Sequence, residues 1–324
     1  GAPAITVSTS PTLGGAWGLD FGDPVTHPLS MTGIVVSDNE IAGHILNGVT
    51  VGRNTGAVRL AGNSIHDNGW LGIDLIPSGY GYGVSPNDLL DADTGGSGVQ
   101  NFPEITSVMR HGMDLTVAGA LHSSALDDFT LEFFASSVCD DSDHGEGELP
   151  LGTLAVTTDA AGDAEFDVTL AGPVPVGWIV TATATLEPLG ATSEFAACAA
   201  TCWRYEGHAL AGISGEPRLV GQGDLTSLSD NALRLSNAAP SAFSGLFVAT
   251  SGDPTPFMGG MLVPLPLAMP PVLLNTDADG AIVIPFTLPD GVPSGLELWL
   301  QWAVVDATAV GGVALSNALV GLMP

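Results

Sequence analysis

Apolar and polar positions alternate in short runs along most of this chain, and the runs are separated by Gly, Pro, Asp and Asn. Leu131, Phe133 and Ala135 fall on one face of such a run, as do Leu115, Val117 and Gly119. From Leu296 to Val304, Leu296, Leu298 and Leu300 alternate with Glu297, Trp299 and Gln301, and Trp302 follows. A period of two is that of a strand with one face covered. Long stretches with helical periodicity are missing, so the pattern predicts an all-β protein rich in turns.

The first hundred residues add a longer period. Asp38-Asn39-Glu40-Ile41 through Val51 aligns without a gap on Gly62-Asn63-Ser64-Ile65 through Leu75, at an offset of 24 residues. Asn39 falls on Asn63, Ile41 on Ile65, Gly48 on Gly72, Val49 on Ile73 and Val51 on Leu75. A repeat in the twenties with an Asn in each turn predicts a β-solenoid, in which every coil lays its apolar side chains into a shared interior. Asn tolerates the left-handed conformation of a tight corner, stacked Asn amides can bond one another, and Gly48 and Gly72 are expected to ease the turn before the next inward residue. Trp17-Gly18-Leu19-Asp20-Phe21 resembles Leu71 to Leu75 and suggests a further coil.

These residues resemble the right-handed parallel β-helix repeats of large exported bacterial proteins. The likeness covers about residues 33–103. It is carried by Asn63, Ile65, Asn68, Gly72, Ile73, Asp74 and Leu75, then by Asn87, Asp88, Asp91, Ala92, Asp93, Thr94 and Gly95, and last by Gln100, Asn101, Phe102 and Pro103. In that family this is the final coil and the exit from it. Residues 104–200 resemble the immunoglobulin-like β-sandwich that follows, through Leu131–Ala135, Cys139-Asp140, Gly145-Glu146-Gly147, Leu151-Gly152, Val180–Thr185 and Thr192-Ser193-Glu194-Phe195. Residues 201–324 resemble, more loosely, a C-terminal β-sandwich recurrent in secreted planctomycete proteins, through Leu235-Ser236-Asn237-Ala238 and Leu315-Ser316-Asn317-Ala318. The resemblances imply three domains: 1–103 as parallel β-helix coils and exit loop, 104–200 as an Ig-like sandwich, and 201–324 as a second sandwich. The last two also share a pattern at an offset of 118, which lays Thr158-Asp159-Ala160-Ala161-Gly162 on Thr276-Asp277-Ala278-Asp279-Gly280 and predicts the same Asp/Gly hairpin turn in both.

Charge narrows the range of partners. The formal net charge is −29, with no lysine and only six arginines. Nucleic acid and anionic membrane surfaces would be repelled, and cations are the natural counter-species. The most apolar window, Met258 to Leu274, contains Pro264, Pro266, Pro270 and Pro271, which excludes a membrane-spanning helix there. The chain opens on Gly-Ala-Pro-Ala without a signal peptide, as a mature form or a piece of a longer protein would.

The three cysteines have no zinc-site spacing. A Cys139–Cys198 disulfide would close a loop of about 60 residues, worth roughly 4 kcal/mol, and would fit an oxidising compartment. Cys198–Cys202 is the competing pair, and three free thiols are the third alternative. Asp88, Asp91 and Asp93, with Asp74 near the same exit, are candidate ligands of a structural Ca²⁺, which takes six to eight oxygens. Asx turns that cap the exit are the other reading. The acidic run Asp140, Asp141, Asp143, His144, Glu146 and Glu148 reads as a solvated loop tip. Trp17, Trp70 and Trp203 are candidates for stacking on sugar rings, and Trp178, Trp299 and Trp302 for core packing.

No nucleophile elbow, H-E-x-x-H, phosphate loop or dinucleotide fingerprint occurs, so no catalytic residue is assigned and an enzyme is not expected. Together these features point to an extracellular or cell-surface structural or adhesion module, with a carbohydrate or surface ligand and a structural Ca²⁺. The alternative is a fibre or surface-layer subunit that self-associates through an uncapped β-helix end. A polysaccharide lyase or hydrolase comes third.

Overall fold

The computed structural model describes residues 18–21, 33–79, 81–111, 113–175 and 178–323. Among these the structure is all-β, with three short 3-10 turns and no α-helix. No helix is long and apolar enough to cross a membrane. Trp17 lies outside the described residues. The chain forms two compact units, one of residues 1–106 and 117–199, the other of 107–116 and 200–324.

The first unit begins with seven short strands: β1 (Leu19–Phe21), β2 (Ile34–Ser37), β3 (Glu40–Ala42), β4 (Val49–Val51), β5 (Val58–Ala61), β6 (Ser64–His66) and β7 (Ile73–Leu75). They pair in three parallel ladders, β1-β4-β7, β2-β5 and β3-β6. The register carries the 24-residue repeat: Ile34 faces Val58, Ile41 faces Ile65, and Val49 faces Ile73. Leu19 to Phe21 pairs in turn with Val49 to Val51, so this part of the fragment joins the same ladder. Val36, Ile41, Val49, Val51, Val58, Ile65, Ile73 and Leu75 are buried in one cluster. The inward positions of successive turns thus meet like on like.

The corners refine the expectation about Asn and Gly. The left-handed residues are Asp38 and Gly62, again 24 apart, and Gly43 and Asp67, so the strained conformation falls just ahead of each Asn or His. Asn39 and Asn68 themselves are bridges. Asn39 N and Nδ2 both donate to Asn63 Oδ1, at 3.0 and 3.2 Å, and Asn68 Oδ1 accepts from His44 N at 3.2 Å. Gly48 and Gly72 have no positive φ. They are required by close approach instead. A Cβ on Gly48 would lie 2.8 Å from the Gly72 carbonyl oxygen, and one on Gly72 would lie 2.8 Å from the Phe195 ring.

The remainder of the first unit is antiparallel. A hairpin of β8 (Glu104–His111) and β9 (Asp114–His122) lends residues 107–116 to the second unit. Then come β10 (Asp128–Ser136), β11 (Leu149–Thr157), β12 (Asp163–Leu170), β13 (Ile179–Glu187) and β14 (Ala191–Thr192), with a sheet order β11-β10-β13-β14. Phe129, Leu131, Phe133 and Ala135 are buried, as the alternation requires. Phe134, on the opposite face, is buried too, because it joins the cluster of the parallel ladders, edge-on to Phe195 at 5.3 Å.

In the second unit, Arg218–Gln222, Asn231–Ser236 and Ile282–Phe286 form one antiparallel sheet. Phe243–Ala249 pairs with Val272–Asn275 and Glu297–Val305, and Glu297–Val305 pairs with Leu319–Leu322. Leu219, Leu233 and Leu235 of the first sheet share a core with Trp203, Leu246, Leu300 and Trp302. The expected polar face of Glu297–Val305 is only partly polar. Gln301 is fully buried, accepting from Val263 N at 2.9 Å and donating to the Met261 and Ser316 carbonyls. A buried amide survives there because its hydrogen bonds are met.

The turns matched at offset 118 use the same bonds. Asp159 Oδ1 accepts from Ala161 N and Asp163 N, and Asp277 Oδ1 from Asp279 N and Ala281 N. Thr158 and Thr276, one residue earlier in each turn, are buried and donate to a neighbouring loop carbonyl at 2.6 Å. Asp277–Gly280 is therefore a tight Asp/Gly turn, as read from the sequence, but not a hairpin: Val272–Asn275 before it pairs with Phe243–Ala249, and Ile282–Phe286 after it pairs with Asn231–Ser236 in a different sheet.

Candidate functional site

After β7 the chain leaves the ladders in a loop, residues 77–103, that is pinned to itself by the side chains of the exit motif. Asn87 Nδ2 donates to the Phe102 carbonyl and Asn87 Oδ1 accepts from Phe102 N, both at 2.9 Å. Asn101 returns the arrangement, accepting from Asp88 N at 3.1 Å and donating to the Asp88 and His122 carbonyls at 2.8 Å. Asp88 Oδ1 accepts from Ala92 N, four residues on, which closes the loop across Leu89–Asp91. Leu90 and Asp91 sit in the left-handed region within it.

This folding brings Asp88, Asp91 and Asp93 together, with one carboxylate oxygen of each within 4.8 Å of the others. Asp91 accepts from Asn101 N and Ser123 Oγ, each at 3.0 Å. Asp93 Oδ1 is buried without a hydrogen-bond partner. Burial pushes the Asp91 carboxyl up to about 6, and burial with the Asp88 charge does the same to Asp93. Three oxygens are half of what Ca²⁺ takes, so waters and carbonyls would complete such a site.

Asp74 stands apart from the trio. It is fully buried in β7, with Oδ2 accepting from Asn47 Nδ2 at 2.6 Å and Oδ1 from Gly83 N at 3.4 Å. Burial lifts its carboxyl to about 6. Its bonds hold neighbouring backbone and side chain in place, so its grouping with Asp88, Asp91 and Asp93 is not what the structure shows.

A second set of carboxylates was not legible as functional. The outer edge of the last rung, β5 to β7, presents backbone N–H groups with no further strand to receive them. The antiparallel part of the unit supplies acceptors. Leu60 N donates to Thr192 Oγ1 at 3.0 Å, Gly62 N to Glu132 at 2.9 Å, Ile65 N to the Gly147 carbonyl at 2.8 Å, and Leu75 N to Glu194 Oε1 at 2.8 Å. Asn68 Nδ2 donates to Glu146 at 2.9 Å. Glu194 also receives Ser85 N at 2.9 Å, which ties the exit loop to the same carboxylate. Arg59 and Glu187 form an ion pair across the same seam. An edge satisfied in this way cannot recruit another strand.

Glu146 is therefore not part of a solvated tip, as its acidic surroundings suggested; it is 8% exposed. Burial raises Glu146 to about 7 and Glu194 to about 8, the latter helped by the charges of Asp74 and Asp93. The one available signal was Glu194 itself, a lone acid between Ser193 and Phe195 in an otherwise uncharged run.

Cys139 and Cys198 form a disulfide with Cα atoms 6.1 Å apart, and Cys202 is a buried free thiol whose burial lifts it to about 12. Trp203 is 1% exposed and belongs to the core, so it is no stacking platform, whereas Trp70 is 47% exposed beside Tyr82. Trp302 is buried as expected, and Trp299 is half-buried under Arg204. A cleft of about 630 Å³ opens between residues 77–78 and 81–86 on one side and Asp93-Thr94 on the other.

No protein-family model matches the chain, and no curated protein matches it. Among solved structures it is similar to a human OSCAR ligand-binding domain, at 14% identity over 69% of this chain and 99% of that one, with a TM-score of 0.21. It is also similar to a tetra-tandem repeat in the extending region of a large adhesion protein, at 14% identity over 68% of this chain and 49% of that one, with a TM-score of 0.19. Likeness this low carries no argument for either fold or role.

Proposed function

We propose that this chain is a non-catalytic, exported or cell-surface structural and adhesion module. In this reading residues 1–103 are the last coils of a right-handed parallel β-helix with their exit loop, residues 104–200 an Ig-like sandwich that seals its end, and residues 201–324 a second sandwich. The parallel register at 24 residues supports the first element. The observation that carries the location is the Cys139–Cys198 disulfide, since such bonds persist in oxidising compartments. Buried carboxylates with raised pKa values are often catalytic. Here Glu194, Glu146 and Glu132 are engaged by backbone N–H groups, which supports a structural use for them.

The test is alkylation in the source cells with a membrane-permeant thiol reagent, combined with surface proteolysis. Protease-accessible protein with Cys139 and Cys198 unmodified is the expected result. Both cysteines alkylated in an intracellular fraction would refute the reading.

The Asp88, Asp91 and Asp93 trio is proposed to take a structural Ca²⁺. Calcium chloride should then raise the melting midpoint relative to EGTA, and Asp93→Asn should remove the difference. Because Asp91 and Asp93 titrate near 6, the calcium effect should fade as pH drops below that value. An identical midpoint in calcium and EGTA at pH 8 would dismiss the ion.

A second reading, self-association, is favoured by one observation. Among the described residues β2 and β3 each pair on one side only, and self-association would run through their other side. Sedimentation that shows monomers alone at all concentrations would dismiss it.

A further inference from the structure

The cleft beside the exit loop has walls suited to a particular class of ligand. Pro77, Tyr82, Val84 and Pro86 give it apolar surface. Its polar lining includes Ser78, Thr94 and the carboxylate-bearing Asp93, and no arginine or histidine borders it among the described residues. At about 630 Å³ it falls within the range of small-molecule sites, roughly 300–1,000 Å³. Trp70, just outside, stands beside Tyr82 of the wall with ring centroids 6.3 Å apart and planes tilted by 58°, the two rings 47% and 56% exposed. Large amphipathic rings left half in water mark recognition surfaces, because one side offers apolar area and the edge a polar group.

The walls are held from behind. Gly83 N donates to buried Asp74, Ser85 N to buried Glu194, and Ser85 Oγ to the Leu75 carbonyl at 3.1 Å. On the other side Ser78 N donates to the Thr94 carbonyl at 2.7 Å, and Pro77 bridges to Gly95. Two elements that would otherwise spread apart are fixed at the width of the cleft, so little ordering is left to oppose binding.

Charge and chemistry select among ligands. An anion would meet no arginine or histidine in the cleft wall and would face the field of a chain of net charge −29. A purely apolar molecule would strip water from Asp93 and return no hydrogen bond. An alkylammonium would meet two rings, Tyr82 and Trp70, tilted by 58° to one side of it, where its recognition wants several faces around it. Hydroxyl side chains that both donate and accept, one carboxylate acceptor and a ring face together match a neutral polyol ring with an apolar side.

We propose that the cleft of residues 77–78, 81–86 and 93–94 binds one or two units of a neutral saccharide, with Tyr82 and the adjoining Trp70 as the stacking surface and Asp93 and Thr94 as hydroxyl partners. It specifies the ligand of the surface module above and rests on that reading only for its setting outside the cell.

The experiment is an array of neutral oligosaccharides of glucose, galactose, mannose, xylose and N-acetylglucosamine, probed with the whole chain. It is followed by titration of the best ligand with tryptophan fluorescence and calorimetry. Binding of at least one neutral glycan is expected, weakened about tenfold by Tyr82→Ala. Val84→Trp, which fills the cleft from its wall, should abolish binding with the melting midpoint unchanged. It also serves as the control if Tyr82→Ala fails to fold. A blank array, equal affinity in the Val84→Trp variant, or tighter binding of tetramethylammonium than of any glycan would each overturn the proposal. A blank array with the protein still found at the cell surface overturns the cleft alone. A chain found only inside the cell overturns the surface module and leaves the measured binding standing.

Discussion

Replacing Glu194 by Gln should make this protein less stable in acid and more stable in mild base. In the folded chain Glu194 is 2% exposed, and its carboxyl is raised from 4.5 to about 8 by burial, with the charges of Asp74 and Asp93 adding to it. A carboxyl raised on folding binds its proton more tightly in the native state. Its contribution is therefore whole below the unfolded value, near 4.5, and is lost progressively as pH rises toward 8. Within that window one such group lowers the unfolding free energy by at most about 1.4 kcal/mol per pH unit. The amide of Gln carries no charge to desolvate, so the variant lacks this slope. It does lose one of two acceptors, because its NH₂ must oppose either Leu75 N or Ser85 N, at a cost of about 1–3 kcal/mol. The two stability curves should therefore cross. Urea unfolding from pH 4 to 8.5, with slopes compared at fixed ionic strength, measures both effects. Parallel curves, or a variant that falls with pH as steeply as the parent, would refute the assignment of a buried ionising group at the seam.

Other consequences follow from the same geometry. Cys139→Ser with Cys198→Ser should lower stability by roughly 4 kcal/mol, while thiol titration of the parent should find one reactive group, Cys202, and only after denaturation. Gly72→Ala should cost about 1–3 kcal/mol, since its Cβ would press on Phe195 at 2.8 Å; an unchanged midpoint would show that the seam is loose. Gln301→Leu should be more damaging than any surface change in the second unit, by about 3 kcal/mol or more, because Val263 N and the Met261 and Ser316 carbonyls lose their partner together. A cost below 1 kcal/mol by thermal melting would mean that water replaces the amide.

Local order was legible because it depends on spacing along the chain. The 24-residue repeat determined which residues face one another, since an inward position must lie on an inward position, and Val49 meets Ile73 for that reason. The repeated Thr-Asp-x-x-Gly turns were equally plain, because each Asp bonds only to residues a few places on. What distinguishes Glu146 from its solvated neighbours Asp140 and Asp141 is an Asn 78 residues away, and nothing in its surrounding sequence marks that contact. The trio of Asp88, Asp91 and Asp93 was readable as one loop, but the position of Asp74 behind a different wall was not, because its place is set by Asn47 in the rung before. Sequence alone determined the all-β character, the repeat and the turns, each a matter of period or of neighbouring residues. Only the tertiary structure decided which polar groups are buried, because burial is fixed by surfaces that meet across long stretches of chain. The carboxylates that close the edge of the ladders exist as acceptors only once that meeting has taken place.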